Sequence, residues 1–307
     1  MIFKLKPALK SAIWGGTRLK TEFGFNSDND HVAEAWVLSC HKNGQSIVDG
    51  GPYDGMPLGT LIQTLGKGCL GAHGAAFSDF PILIKLIDAA DDLSVQVHPD
   101  DAYALQNEGQ FGKTEMWYFI SCEPDAGIYY GCAAPLSKSD FERYIQNGTL
   151  TAHLHYQKTK PGDAVFIPAG TVHSICKGNL IAEIQQNSDV TYRIFDYDRR
   201  DQNGNPRQLH IKQALDVAKL SPPEAYDFGD HVAACPIFTV DRLAVLTSKT
   251  LEADAQSFHS ILVLSGSGTI QNKDATVAYQ KGDSLFIPAG SGAYQISGVL
   301  DGLLTTI

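Results

Sequence analysis

A strand-turn-strand unit occurs twice in this chain. KPGDAVFIPAGTVHSI, beginning at Lys160, returns as QKGDSLFIPAGSGAYQI from Gln280, with Gly-Asp, Phe-Ile-Pro-Ala-Gly and the following strand in the same register. Two copies of such a unit imply two similar β-barrels, and the short, evenly spaced strands with Gly-rich turns make the chain mainly β. The copies differ where chemistry would sit. Ala293 stands where His173 stands, and FHSILVLSGSGTI, which aligns with EMWYFISC, offers no carboxylate matching Glu115.

The first copy has partners upstream, in LSVQVHPDDAYALQNEGQFGKTEMWYFI. Side chains on a strand alternate between faces, so in SVQVH the polar Gln96 and His98 share one face while Val95 and Val97 share the other. Pro99 cannot donate to a sheet ladder and ends the strand, and Asp100 begins a polar segment able to cap one or two helical turns. Extended structure resumes at Glu115, and the apolar MWYFI after it leaves Glu115 and Lys113 as charges that need partners. Pro161, Gly162 and Asp163 form a turn, Ala164 to Ile167 a strand, and His173 follows a second turn at Pro168-Ala169-Gly170. Two His, a carboxylate and an amide oxygen make a plausible donor set for a divalent metal, with zinc the best fit. Each residue also has a structural reading: a hydrogen-bonded strand His, a weakly ligating Gln, a Glu paired with Lys113 or an Arg.

SVQVHPDD, GKTEMWY and PGDAVFIPAGTVHSI, together with IAEIQQNSDVTYRIFDYDR, SAIWGG and AEAWVLSCH, resemble the type I mannose-6-phosphate isomerases in their short bacterial form, which belong to the cupin superfamily. The resemblance covers most of the chain. It implies zinc ligands at Gln96, His98, Glu115 and His173, an active-site Arg at Arg193, and Lys85 and Ser94 as holders of a substrate phosphate. With the repeat, it gives two cupin-type (double-stranded β-helix, jelly-roll) barrels: a catalytic domain with helical insertions over residues 1–222 and a smaller, degenerate domain over 223–307, joined by the linker SPPEAYDFGD.

Length and composition agree with this reading. A chain of 307 residues with 43% hydrophobic content supports one large domain or two ordinary ones. Its net charge of −10 argues against a nucleic-acid surface. The N-terminus, MIFKLKPALKSAIWGG, lacks the apolar run of a secretory signal, no stretch approaches a membrane helix, and six Cys without a C-x-x-C pair suit reduced thiols, so a cytoplasmic enzyme is expected. Monomer and homo-oligomer are both compatible with the sequence.

Local patterns fill in the scaffold. Alternation from Trp36 to Val48, broken at Asn43-Gly44, predicts a β-hairpin, and Cys122 and Cys132 flank another. Leu58, Leu61, Ile62 and Leu65 predict an amphipathic helix within Pro57 to Leu70, and Ser137 with Asp140 predicts the capped start of a helix running toward Gly148. PILIKLIDAADDLSVQVHP gives two strands around a turn at Ala89 to Asp92. Lys85 inside the first of these needs an anion, either a substrate phosphate or a nearby Asp. His153 and His155 mimic the spacing of a cupin metal pair but have no carboxylate nearby, which leaves a half-exposed edge strand as the simpler reading. Arg193 has its own structural alternative, a salt bridge to Asp189 or Asp196.

Aldose-ketose isomerisation moves a proton between adjacent carbons and must stabilise the intervening enediolate. A divalent metal would serve as the Lewis acid, Arg193 would stabilise enediolate oxygens or fix hydroxyls and phosphate, and Lys113 would help proton transfer or ring opening. Glu183 and Asp189 are further base candidates. The rival readings are a non-catalytic sugar-sensing bicupin with a structural metal and an iron-dependent cupin oxygenase. The Gln ligand, Lys113 and DVTYR favour the isomerase.

Overall fold

The computed structural model describes residues 1–200 and 204–307, and in it the two Gly-Asp turns are built alike. Asp163 accepts a hydrogen bond from the backbone N–H of Lys160 at 3.0 Å, and Asp283 from that of Gln280 at 2.8 Å. Gly162 and Gly282 have φ of 90° and 92°, a region that favours glycine. The strands that follow, Ala164–Ile167 and Ser284–Ile287, pair antiparallel with Glu115–Cys122 and His259–Gln271, setting Ile167 opposite Glu115 and Ile287 opposite His259. His259 therefore occupies in the second copy the place of Glu115 in the first.

A six-stranded sheet runs in the order Ala164–Ile167, Glu115–Cys122, Asn179–Gln186, Ile82–Ala89, Glu34–Leu38, Ala8–Lys10. A five-stranded sheet faces it, in the order Tyr192–Phe195, Val95–Val97, His173–Ile175, Gly127–Cys132, Leu154–Lys158. Between them lies an apolar layer that includes Trp117, Ile181 and Ile167 from the first sheet and Ile128, Tyr130 and Ile175 from the second. The opposite pleat of the five-stranded sheet, with Val95 and Val97, packs on the helices Lys138–Gln146 and Ile211–Val217 through Phe141, Ile145 and Ala214. The C-terminal barrel is a nine-stranded sheet around its own core, which contains Ile261, Tyr294 and Ile296. The fold is mainly β, with sheets that fit two cupin-type units and with short helices, as expected. Ser137 caps the Lys138–Gln146 helix at the Asp140 N–H, and Asp100 caps Asp101–Asn107 at the Tyr103 N–H. Among the described residues no helix is long and apolar enough to cross a membrane.

Two expected hairpins are absent. Glu34–Leu38 pairs with Ala8–Lys10 and Ile82–Ala89, whereas Ile47–Val48 pairs with Phe3–Lys6 in the C-terminal sheet, so Asn43-Gly44 lies in a loop between sheets. Glu115–Cys122 and Gly127–Cys132 likewise belong to different sheets. In both cases alternation reported the strands correctly, but adjacency in sequence gave way to a topology in which successive strands change layer. SPPEAYDFGD is not a free linker: Tyr226 and Phe228 pack edge-on against Phe166 at 5.1 and 5.2 Å.

The first strand, Phe3–Lys6, is inserted between Ser284–Ile287 and Ile47–Val48. A cut at residue 222 thus divides the chain but not the sheets. Phe3 is buried, stacks on Phe286 and meets Tyr53 edge-on. Phe3→Ala is expected to cost about 3–5 kcal/mol of stability, as large-to-small changes at buried aromatics do, measured by urea unfolding.

Candidate metal centre and polar cluster

His98, Glu115 and His173 come from three separate elements, and their candidate ligand atoms all lie within 4.8 Å of one another. Each His is oriented through its other ring nitrogen, His98 Nδ1 to the Val190 carbonyl and His173 Nδ1 to the Thr171 carbonyl, both at 2.8 Å. That fixes Nδ1 as the donor and turns a bare Nε2 lone pair toward Glu115, an arrangement common behind metal ligands. His173 Nε2 lies 3.3 Å from Glu115 Oε1, and both atoms are buried without a hydrogen-bond partner. Two acceptors facing each other in a dry site call for a cation between them. The donor set fits a single divalent ion, and two imidazoles with one carboxylate suit zinc.

Gln96 joins this group by register. It lies opposite His173 on one neighbouring strand and opposite Arg193 on the other, so the three side chains leave the same face of the sheet. Ser94, buried, precedes Gln96 by two residues.

Charges continue the cluster into the six-stranded sheet. Trp117, Glu183, Lys85 and Trp36 are directly opposite one another on successive strands and form one row. Lys113 Nζ stands 2.5 Å from Glu115, 3.2 Å from His98 Nε2 and 3.7 Å from Glu183. Lys85 Nζ is 3.0 Å from Glu183 and 3.6 Å from Glu34. The anion that Lys85 requires is therefore supplied by Glu183, where the sequence suggested a phosphate or an Asp. Burial alone would raise the Glu183 carboxyl, but Lys113 and Lys85, with hydrogen bonds from Lys85 and the Trp117 indole, hold it low. Burial and then the Glu183 charge push Glu115 up, against the pull of Lys113. Burial and the neighbouring Lys113 push both imidazoles down, His173 to about 4, so they are neutral and able to ligate.

Arg193 makes no salt bridge among the described residues: its NH1 donates to the Gln208 carbonyl at 3.0 Å and its buried Nε has no partner. The acids expected for it are otherwise engaged, Asp196 by Arg199 and Arg207, and Asp189 by Asn43 Nδ2 at 2.6 Å. His153 stacks on Tyr144 with centroids 3.5 Å apart, and His155 is exposed on the Leu154–Lys158 strand; among the described residues neither belongs to a metal-capable group. Sequence reasoning missed Glu34 and Trp36, which close the charged row. Their alternation with apolar Ala35 and Val37 was the available signal, but it was assigned to scaffold.

Lys85→Met would leave Glu183 short of its nearest cation. A loss of about 3–5 kcal/mol, the range for breaking a buried ion pair from one side, is expected in chemical unfolding at neutral pH.

Comparison with known proteins identifies the family. Residues 2–115 match the family description "Phosphomannose isomerase type I, catalytic domain", and residues 229–305 match "Mannose-6-phosphate isomerase, cupin domain". Mannose-6-phosphate isomerase ManA of Bacillus subtilis is 38% identical, with 95% of each chain covered. The mannose-6-phosphate isomerase of Streptococcus mutans is 38% identical over 97% of this chain and 95% of its own. A crystal structure of the mannose 6-phosphate isomerase from Bacillus subtilis superposes with a TM-score of 0.92 at 36% identity, covering 100% of this chain and 99% of the other. With the metal-capable cluster, the doubled barrel and end-to-end similarity in agreement, the chain belongs to the type I phosphomannose isomerase family.

Proposed function

We propose that interconversion of mannose 6-phosphate and fructose 6-phosphate, the activity of this family, takes place over the His98–Glu115–His173 cluster with Gln96 as the fourth ligand. The observation that carries the assignment is the pair of facing, unpartnered acceptors on Glu115 and His173. A zinc ion held there supplies Lewis acidity toward the substrate's carbonyl and hydroxyl oxygens.

The chain's own residues divide the remaining work. By formal charge Lys85, Lys113 and Arg193 balance Glu34, Glu115 and Glu183, so the neutral imidazoles leave the protein part of the site with no net charge. A divalent ion then makes the site cationic, which suits an enediolate and a phosphate. Glu183 has both oxygens engaged, Oε1 by Lys85 and Oε2 by Trp117 Nε1 at 2.9 Å, and its low pKa makes it a charge partner for the lysines rather than a base. Asp189 is engaged by Asn43 Nδ2 and lies 3.6 Å from His41 Nε2. This leaves Lys113, against both Glu115 and His98, as the group that moves protons to and from substrate oxygens. Arg193, with its unpaired Nε and its place beside Gln96, is assigned to the anionic oxygens of substrate, and Ser94 on the same strand segment assists with the phosphate. Lys85, held by two carboxylates, sets the charge of Glu183 and does not bind phosphate directly.

Residues 1–222 then form the catalytic domain and 223–307 a degenerate cupin that buttresses it. All six cysteines are free, which supports a cytoplasmic setting, and the acidic surface argues against nucleic acid as a partner.

Purified protein is expected to convert mannose 6-phosphate to fructose 6-phosphate, to lose that activity on chelation and to regain it with zinc. A zinc-loaded protein without turnover would favour a sugar-sensing role. His173→Ala should lose both metal and activity while keeping its circular dichroism spectrum. Arg193→Ala should keep the metal, by elemental analysis, and lose about 10²–10³ in kcat, the size typical of removing a group that stabilises developing negative charge.

A further inference from the structure

The row that begins at the metal cluster ends beneath a loop. Trp36, the last member of the row, is covered by the segment that follows its own strand. His41 meets the indole edge-on with ring centroids 5.7 Å apart, and Lys10 Nζ lies 4.9 Å from the ring centroid. Gly44 packs so closely that a Cβ there would stand 2.9 Å from Lys10 Cε and 3.1 Å from Trp36 Cε3. Lys10 Nζ also donates to the Asn43 carbonyl.

This loop is pinned to the opposite lip of the barrel. Asn43 Nδ2 donates to Asp189 at 2.6 Å, and His41 Nε2 lies 3.6 Å from the same carboxylate. Asp189 immediately precedes Val190, whose carbonyl orients His98. At its base the loop is closed by the Ser46 N–H to Ser39 carbonyl bond at 2.9 Å and by Ser46 Oγ on the Trp36 carbonyl at 3.0 Å. The deep groups of the site are buried, with His98, Glu115 and His173 no more than 1% exposed, Lys113 4% and Lys85 6%, while Gln96 and Arg193 are half-buried. Contact of a sugar phosphate with the buried lysines and imidazoles requires a rearrangement of the surrounding chain. Behind the loop is a cavity of about 610 Å³, lined on the loop side by Cys40, His41, Lys42 and Gln45.

We propose that residues 40–45 form a strap over the active site. Asn43 and Asp189 are its latch, the Ser39–Ser46 closure is its hinge, and the cavity behind it is the space into which it withdraws to admit substrate. The proposal rests on the site assigned above and makes Asn43 a positioning residue with no contact to reacting atoms.

The test uses zinc-loaded protein and two readouts: the rate at which a chromogenic chelator takes up the zinc, and hydrogen exchange of the amides of residues 39–46. Asn43→Asp replaces the latch donor with a carboxylate facing Asp189, and Gly44→Ala unseats the loop sterically from Trp36. In each variant that keeps the wild-type melting temperature, zinc release and loop exchange should be about tenfold faster, the shift expected from losing one hydrogen bond to a charged group. Sorbitol 6-phosphate, which cannot isomerise, should slow zinc release in the wild type by occupying the site and should speed loop exchange, because the strap is withdrawn while the ligand is bound. Unchanged zinc release in both variants, whether or not loop exchange rises, would overturn the strap. If the protein takes up no zinc, the metal assignment fails separately, and faster exchange of residues 39–46 in the presence of sorbitol 6-phosphate still decides the strap.

Discussion

The structure depends on one arrangement of buried charge. Lys113 stands between Glu115 and Glu183, and Lys85 approaches Glu183 from the other side. Removing four ionic groups from water costs several kcal/mol each, and their mutual attraction compensates only when geometry and hydrogen bonding are good. Here that requirement fixes the scaffold. The two carboxylates and Lys85 are on adjacent strands, so the register of three strands is tied to charge pairing as well as to apolar packing. A slip of one residue would turn Glu183 toward the opposite apolar face. The same electrostatics help keep the imidazoles neutral and the Glu183 carboxylate ionised, so fold stability and the readiness of the site for a cation share a cause.

The second barrel shows what remains when that arrangement is absent. His259 takes the place of Glu115, and its Nδ1 meets the hydroxyl of Tyr294 at 2.7 Å, while Tyr294 is buried in the barrel core beside Ala293. A carboxylate and an imidazole have given way to one satisfied hydrogen bond and an aromatic filling. The interior is packed where its counterpart is polar, which makes the two barrels a structural pair with one centre.

Much of this was legible in the sequence because it is encoded by short-range periodicity. The repeat revealed both barrels, the Gly-Asp turns kept their geometry, and strand alternation put Gln96 and His98 on one side and brought Glu115 and His173 into consideration. What escaped the sequence depends on which strands meet. The alternation from Trp36 to Val48 is real, yet its two strands belong to different sheets, and only the three-dimensional pairing shows Trp36 beside Lys85. The salt-bridge reading of Arg193 failed for a similar reason: Asp196 is near in sequence but is taken by Arg199 and Arg207. Lys85 was recognised as needing an anion, but Glu183 lies almost a hundred residues away.

The placement of Phe3–Lys6 beside Ser284–Ile287 bears on how the polypeptide is made. Phe3–Lys6 is made long before its neighbour Ser284–Ile287, so it must wait, unpaired along that edge, until the later strand has been synthesised. Closing such a loop is slow and delays the contacts that reward it. The siteless barrel is therefore not an appendage that could be shed: a chain ending before Ser284 would leave its own N-terminal strand without a template, an open edge of the kind that recruits other chains.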